Sequence, residues 1–258
     1  MQQGYSVRPT LSTLEQLSSS HIDLWFITPT QISDLLFNYL KTLLTKKEKD
    51  KLAHYKNSKA QHTALITRAI CRLVLSQYTN TTPSDLSFIK NQHGKPELTN
   101  NSNKIRFNLS HNNDLIIIAI CAKDDIGCDI ENPLRKVNIE PLTRRYFSEQ
   151  EHLEICTLTP KIQQQRFFEM WTLKEAFVKA TGIGISLGLD TFYFDKDVVS
   201  KEINVQFNES YPLNKSHIWQ LYQQELEQQL LAVCRSSKLK QSINFLDASQ
   251  LTTSMLED

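Results

Sequence analysis

The longest unbroken apolar run of the chain, Leu115 to Ala122, is the feature that most constrains its fold. A strand with one face in solvent alternates apolar and polar residues, whereas this run is apolar on both alternations. The run therefore predicts a central strand of a sheet that is covered on both faces. It is far shorter than the roughly 20 residues that cross a membrane, so no membrane-spanning segment is expected.

Strand-like and helical segments alternate along the rest of the chain and predict an α+β fold with two lobes. Leu65, Ala69 and Leu73 lie on an apolar helical stripe in the first half. In the second half, Gln163 to Thr181 is the best-defined helix, and Gly182 is its expected C-terminal stop. The expected organisation is an N-terminal arm at residues 1–20, an N-terminal lobe at 21–122, a C-terminal lobe at 123–235 and a peripheral tail at 236–258.

Composition and charge exclude several classes of protein. The 29 Lys and Arg residues nearly balance the 28 Asp and Glu residues, so a uniformly basic surface for nucleic acid is not expected. The first ten residues lack the apolar segment of a secretory signal, which favours a cytoplasmic protein. The five cysteines have no metal-ligand spacing and are expected to be buried, reduced thiols.

Positive charge is concentrated between Lys41 and Arg72, where nine Lys or Arg residues stand against only Glu48 and Asp50. Two interpretations are open, a solvated helix surface or an anion site for a phosphate-bearing ligand. In the second, Lys51 would bind the phosphate together with a lysine one helical turn away.

Asp129 and Glu131 are a candidate metal site at the end of a short predicted strand. Side chains two residues apart leave the same face of a strand, and two carboxylates held that close repel one another unless a cation lies between them. Oxygen ligands without a nearby His or Cys favour Mg²⁺, with Mn²⁺ as the alternative. Taken alone, however, the pair is more typical of a strand that ends in solvent.

Glu175 and Lys179 lie four residues apart on a helix that is apolar on nearly every side. Burying either charge without a partner would cost several kcal/mol, so both side chains are expected to face a cleft. The alternative is an ordinary surface ion pair worth about 0.2–0.5 kcal/mol. The flanking aromatic residues Phe168 and Trp171 disfavour that alternative.

Two short elements carry side chains that can donate hydrogen bonds to phosphate. One is a turn with a cation, and the other is the end of a predicted strand. The residues concerned are Gly94, Lys95 and Pro96 in the turn, and Asn108, Ser110 and His111 in the strand. Each element alone indicates little, and the two glycine-rich phosphate-binding motifs, GxxxxGK[ST] and GxGxxG, do not occur.

In this order, the motifs resemble those of the Sfp-type (surfactin-synthetase-activating) 4′-phosphopantetheinyl transferases. The resemblance covers about residues 45–195, and its most specific parts are G-x-D-x-E and, some forty residues later, W-x-x-K-E-A-x-x-K. The matching segments are Gly94 to Pro96, Phe107 to His111, Ile126 to Glu131, Phe147 with Ser148, and Trp171 to Lys179 with Gly182.

The resemblance implies two pseudo-symmetric α+β lobes with the active site in the cleft between them. The implied activity is Mg²⁺-dependent transfer of the 4′-phosphopantetheine group from coenzyme A to a serine hydroxyl of an apo acyl, peptidyl or polyketide carrier protein. Adenosine 3′,5′-bisphosphate would be released. A monomer is implied because both lobes belong to one chain, and neither nucleic acid nor a membrane is expected as a partner.

The resemblance also implies roles for individual residues. Glu175, or a metal-bound water beside it, would accept the proton of the serine hydroxyl. The implied metal ligands are Asp129, Glu131 and Glu175, the phosphate contacts are His111, Lys174 and Lys179, the nucleotide side holds Gly94, Lys95, Pro96, Asn108 and Ser110, and Lys51 meets the 3′-phosphate. One departure is visible, since Glu48 stands where a second basic residue is expected, and Lys47 or Lys49 would have to replace it.

Two other functions are open on the sequence. A metal-dependent nuclease would also use acidic residues with lysine, but its usual compact spacing fails because Pro133 follows two residues after Glu131. A non-catalytic module that binds coenzyme A or a carrier protein would keep the cleft without turnover. Three acids held together argue against such a module, because they repel one another and binding alone does not require them.

Overall fold

The computed structural model describes residues 17, 21–102, 104–197, 200, 202–240 and 242–253. The helices in this part of the chain are α1 (Asp34–Thr42), α2 (Lys46–Ala53), α3 (Ser58–Ser76), α4 (Ile139–Tyr146), α5 (Glu149–Cys156), α6 (Pro160–Thr181) and α7 (Ser249–Thr253). The strands are β1 (His21–Ile27), β2 (Phe88–Lys90), β3 (Pro96–Leu98), β4 (Ile105–His111), β5 (Ile116–Ala122), β6 (Ile126–Glu131), β7 (Phe192–Lys196), β8 (Ile203–Phe207), β9 (Trp219–Leu226), β10 (Gln229–Ser236) and β11 (Ser242–Asp247). The predicted α+β class is confirmed, and none of the described helices is both long enough and apolar enough to cross a membrane.

The chain divides into two compact units. The first contains the described residues of 1–89, 96–123 and 241–258, and the second contains those of 90–95 and 124–240. The division after Lys123 falls one residue from the predicted lobe boundary. Of the predicted N-terminal arm, residues 1–16 and 18–20 lie outside the described residues, and Leu17 packs against the core of the first unit.

The first unit is built on a four-stranded sheet with the order β11-β1-β5-β4. Strand β5 lies between β1 and β4, and every residue from Ile116 to Cys121 is buried. The predicted central strand is therefore confirmed. Helix α3 contributes Ile66, Ile70 and Leu73 to the same core, and it begins where the Asn57 side chain accepts a hydrogen bond from the backbone of the first turn.

The prediction of a peripheral tail is wrong for the described residues 242–253. Strand β11 pairs in parallel with β1, and Leu246 and Ala248 are buried in the core. The Asn244 Nδ2 atom donates a 2.9 Å hydrogen bond to Oδ1 of the buried Asp23 on β1. The two partners are 221 positions apart, so the short sequence of β11 carries no local signal of which strand it pairs with.

The second unit is built on a three-stranded antiparallel sheet with the order β6-β10-β9, and helix α6 packs against it. Strands β7 and β8 form a separate hairpin whose aromatic side chains surround Phe177 of α6. Helix α6 begins at Pro160, three residues before its predicted start, because proline is favoured in the first helical turn. It ends at Gly182, whose φ of +74° is the left-handed conformation that glycine adopts without strain.

The five cysteines all lie in the described part of the chain, and none of them forms a disulfide. Four are buried, as the sequence predicts. Cys156 is exposed, so the prediction of burial is wrong at this position. It is the last residue of the short helix α5, which buries the neighbouring Ile155 instead.

Backbone approaches backbone at Gly127, where strand β6 meets helix α6. A Cβ atom added to Gly127 would lie 2.1 Å from the carbonyl oxygen of Ala176 and 2.3 Å from the amide nitrogen of Ala180. Both atoms belong to the backbone of a long helix and cannot turn aside as a side chain can. Glycine is therefore required here for close packing.

We expect Gly127→Ala to lower the free energy of unfolding by about 3 kcal/mol or more, because the strand and the helix must separate to admit the methyl group. Gly184→Ala is the matched control, since its added Cβ meets no atom within 4 Å and its φ of +72° costs only about 1–2 kcal/mol. Urea denaturation followed by tryptophan fluorescence measures both variants. Equal losses of stability would show that the close approach at Gly127 is not limiting.

Candidate active site

The packing at Gly127 determines which side chains of strand β6 face helix α6. Alternate residues of a strand leave the same face, so Asp129 and Glu131 point to the side on which a Gly127 side chain would meet the helix. From the helix, Glu175 and Lys179 approach the same region. Between Thr172 and Ala180 these two are partly exposed, and every other side chain is buried.

An ion pair joins the strand to the helix at this point. The Lys179 Nζ atom lies 2.6 Å from Oδ1 of Asp129, a charge-assisted hydrogen bond. Burial alone would lower the pKa of Lys179, but the charge and hydrogen bond of Asp129, together with the nearby Cys128 and Glu175, outweigh burial and raise the pKa. Lys179 is therefore a protonated cation beside a buried carboxylate.

The other two carboxyl groups have pKa values above their ordinary range. Burial, followed by the negative charges of Asp129 and Glu131, raises the pKa of Glu175 to about 7. Burial and the charge of Asp129 also raise the pKa of Glu131, although the Arg135 guanidinium lies 3.1 Å from its Oε2 atom and opposes the shift. These couplings show that the three acids lie close enough to repel one another.

A divalent cation suits the chemistry of these three acids. Within the described residues, no group of three or more His, Cys, Asp or Glu side chains is arranged as a metal site. The Lys179 ammonium supplies the positive charge beside Asp129 instead. Three carboxylates nevertheless form the hard oxygen donor set that Mg²⁺ prefers, and a cation would relieve the repulsion that raises two of their pKa values.

Lys174 does not occupy the position that the sequence predicted for it. It is fully buried, and its Nζ atom donates to the carbonyl oxygens of Leu189 and Phe192, each at 2.7 Å. The Glu151 Oε2 atom is the third partner, at 3.0 Å. Because an ammonium group has only three protons to donate, the prediction that Lys174 contacts phosphate is wrong for this structure.

Lys95 differs from its prediction for a similar reason. Its Nζ atom donates to the backbone oxygens of Ile126, at 2.9 Å, and of Lys179 and Ala180, at 2.7 and 3.3 Å. The ammonium thus binds the last carbonyl groups of α6, where a cation is favoured, and ties the helix to strand β6. Lys95 is a structural bridge rather than a residue on the nucleotide side of a site.

The other residues of the two short elements lie in the turn before β3 and in strand β4. Gly94 adopts a φ of +92° in the turn before Lys95, and Pro96 begins strand β3. In the first unit, Asn108, Ser110 and His111 occupy the end of β4, where Asn108 and Ser110 are buried and His111 is exposed. His111 pairs with Ile116 across the turn to β5.

Helix α2 explains the departure at Glu48. The Glu48 carboxylate caps the start of the helix by accepting from Thr45, and it lies 2.9 Å from the guanidinium of the buried Arg72. These hydrogen bonds and Arg72 outweigh burial and lower the pKa of Glu48. Lys51 is exposed in the last turn of the same helix. An acid at position 48 therefore serves the fold. Its T-x-x-E spacing from Thr45 is a local sign of the helix cap, whereas the ion pair with Arg72 joins positions 24 apart and has no local sign.

We expect Lys95→Met to lower the free energy of unfolding by about 1.5–3 kcal/mol, the value of hydrogen bonds made by a charged group. The affinity for coenzyme A, the ligand that the sequence resemblance implies, should be retained when measured by calorimetry. Lys90→Met replaces a neighbouring exposed lysine and should change stability by less than about 0.5 kcal/mol. A Lys95→Met variant with unchanged stability and weakened coenzyme A binding would restore the original prediction.

Two protein-family models match the chain, one to each half. Residues 29–123 match "4′-phosphopantetheinyl transferase, N-terminal", and residues 125–234 match "4′-phosphopantetheinyl transferase superfamily". The two matches meet where the chain divides into its two units.

Two curated relatives show the same similarity. The 4′-phosphopantetheinyl transferase gsp of Aneurinibacillus migulanus is 28% identical over 240 residues, which are 92% of this chain and 96% of gsp. The 4′-phosphopantetheinyl transferase HetI of a Nostoc species is 32% identical over 177 residues, 66% of this chain and 72% of HetI. The holo-(acyl-carrier-protein) synthase of Bacillus anthracis, solved in complex with CoA (3′,5′-ADP), aligns with 20% identity and a TM-score of 0.35 over 43% of this chain and 93% of that one.

Proposed function

Because the chain belongs to the 4′-phosphopantetheinyl transferase superfamily, we propose that Asp129, Glu131, Glu175 and Lys179 form the active site in which it transfers phosphopantetheine from coenzyme A to carrier proteins. The transfer of phosphopantetheine is the activity of the enzyme, and the assignment of the site is the proposal. In the proposed reaction, the Oγ atom of a carrier serine attacks the β-phosphate of coenzyme A. The pyrophosphate bond breaks, and adenosine 3′,5′-bisphosphate leaves.

The observation that most supports this site is the contact between strand β6 and helix α6. The strand supplies Asp129 and the helix supplies Lys179, whose charged atoms lie 2.6 Å apart. Glu175 lies close enough to Asp129 for the two charges to interact. Three acids and a lysine gathered on a partly exposed surface suit a reaction in which negative charge develops on phosphate oxygens.

Each side chain has a proposed role in the transfer. The Lys179 ammonium stabilises the charge on the phosphate oxygens, and Asp129 holds the ammonium in place before the substrate binds. The Glu175 carboxylate accepts the proton that the serine hydroxyl loses. Asp129, Glu131 and Glu175 would hold Mg²⁺, or Mn²⁺ in its place. When bound, the cation supplies positive charge that neutralises the pyrophosphate.

Four further residues have proposed contacts with coenzyme A. His111 would meet a phosphate, Asn108 and Ser110 would lie near the nucleotide, and Lys51 would meet the 3′-phosphate. These roles rest on the sequence motifs and on the family match over residues 29–123. Gly94 and Pro96 stay in the proposal as parts of the turn near the nucleotide, whereas the Lys95 and Lys174 ammonium groups are withdrawn from it.

We expect Glu175→Gln to lower kcat at least about 100-fold, because glutamine keeps the shape of the side chain but cannot accept the serine proton. Near-ultraviolet circular dichroism should be unchanged. Glu169→Gln, on the same helix, is the matched control and should retain wild-type turnover. Near-normal kcat in Glu175→Gln would remove Glu175 from the chemistry.

The identity of the acceptor and the need for a metal can be tested together. Apo acyl, peptidyl and polyketide carrier proteins are incubated with the enzyme, coenzyme A and Mg²⁺, and intact-mass spectrometry detects the gain of one phosphopantetheine group. We expect at least one carrier to be modified, EDTA to abolish the gain, and Mg²⁺ or Mn²⁺ to restore it. Binding of coenzyme A without modification of any carrier would favour the non-catalytic module.

A further inference from the structure

The structure shows a buried lysine immediately before Glu175, and we propose that this residue, Lys174, positions the active site. Its ammonium group fixes the rotation of helix α6 about its own axis, and this rotation determines where Glu175 and Lys179 lie. The inference rests on the proposed function of those two side chains. Lys174 itself touches neither substrate nor metal.

Every proton of the Lys174 ammonium group has a hydrogen-bond acceptor. Its three protons are matched by three acceptors, two carbonyl oxygens at 2.7 Å and the Glu151 Oε2 atom at 3.0 Å. The rings of Phe192, Phe147 and Phe194 surround it, with centroids 4.6, 5.3 and 5.9 Å from Nζ. Any rotation of the helix therefore breaks hydrogen bonds in a place that water does not reach.

The acceptors belong to two different parts of the second unit. Leu189 and Phe192 lie in the segment that leads into strand β7. Glu151 belongs to α5, and its Oε2 atom also accepts from the backbone nitrogen of Ser148 at 2.9 Å as part of a capping box. Because the carboxylate is held by its own helix cap, it is a fixed anchor for Lys174 rather than a mobile surface charge.

Stability alone does not account for an ion at this position. Burial lowers the pKa of Lys174 despite the opposing charge of Glu151, which shows that the charged form is costly to bury. A buried ion pair is often no more stabilising than apolar side chains of similar size. A methionine could fill the same volume, but it would have no directional contacts. The property that only the lysine supplies is orientation.

The geometry of the helix converts orientation into catalytic position. At about 100° per residue, Glu175 and Lys179 lie about 100° and 140° around the helix from Lys174. A rotation of about 10° at a side-chain radius of about 6 Å would move the Glu175 carboxylate by about 1 Å. A displacement of that size can lower the rate about 100-fold.

Gly127 supplies the complementary constraint. Its contact with the backbone at Ala176 and Ala180 determines how closely the helix approaches strand β6. That contact involves backbone atoms of the helix and no side chain of the strand. The Lys95 hydrogen bonds to the carbonyl oxygens of Lys179 and Ala180 hold the last turn of the helix. The contact at Gly127 therefore sets the distance between strand β6 and helix α6. On the opposite face of the helix, Lys174 sets the rotation of the helix about its axis.

The test uses the full-length double variant Lys174→Met/Glu151→Gln. Glutamine keeps an acceptor for the Ser148 cap and removes the charge that would otherwise be buried without its partner. We expect a folded protein with kcat about 100-fold below wild type and a Kd for coenzyme A within about threefold of wild type. Lys161→Met, in the exposed first turn of α6, is the control and should retain wild-type kcat.

Each alternative outcome overturns the positioning role. Wild-type kcat in the folded double variant would show that the orientation does not depend on Lys174. A weakened Kd for coenzyme A with unchanged kcat would make Lys174 a substrate contact. A double variant that does not fold would make it a residue of folding alone. Glu175→Gln, measured in parallel, separates this inference from the proposed function, because an active Glu175→Gln variant overturns both.

Discussion

The close approach of strand β6 to helix α6 at Gly127 is the constraint on which the rest of the site depends. A side chain at this position would meet the helix backbone at 2.1 Å, so only glycine allows the two elements to touch. Alternation along the strand then directs Asp129 and Glu131 toward the helix. The Lys95 ammonium strengthens the same junction by binding backbone oxygens of both elements.

Two lysines of one helix have opposite environments because they lie on different sides of it. Lys174 points into the protein, where carbonyl groups, a carboxylate and aromatic rings enclose its ammonium. Lys179 lies beside Asp129 and is partly exposed. The five-residue separation places their side chains about 140° apart. In the proposed roles, one lysine orients the helix, and the other, paired with Asp129, meets a phosphate.

The acids of the site illustrate how a charged cluster can be stable before any ligand binds. Asp129 is neutralised by Lys179, and Arg135 lies beside Glu131. None of the ion pairs in the described part of the chain includes Glu175, and its pKa of about 7 reflects burial and the two neighbouring acids. The residue that the proposed reaction uses as a proton acceptor is therefore one whose pKa is raised first by burial and then by the neighbouring acids.

Local patterns were sufficient to predict much of the fold and part of the site. The run that forms β5, the helix that ends at Gly182, and the pairing of two carboxylates on one face of β6 all follow from periodicity and glycine chemistry. The place of β11 could not be predicted in this way, because its partner β1 lies at the opposite end of the chain. For Glu48, the cap with Thr45 is local, but its other partner, Arg72, belongs to another helix and could not be predicted in this way.

The sequence by itself determined which residues could carry the chemistry, because spacing within one strand or one helix decides which side chains share a face. It also determined the family, because the two specific motifs are local. Only the tertiary structure decided which basic side chains are used within the fold and so cannot contact a ligand. Lys95 and Lys174 are bound to carbonyl groups from other elements, and such contacts depend on how distant segments pack rather than on any neighbouring residue.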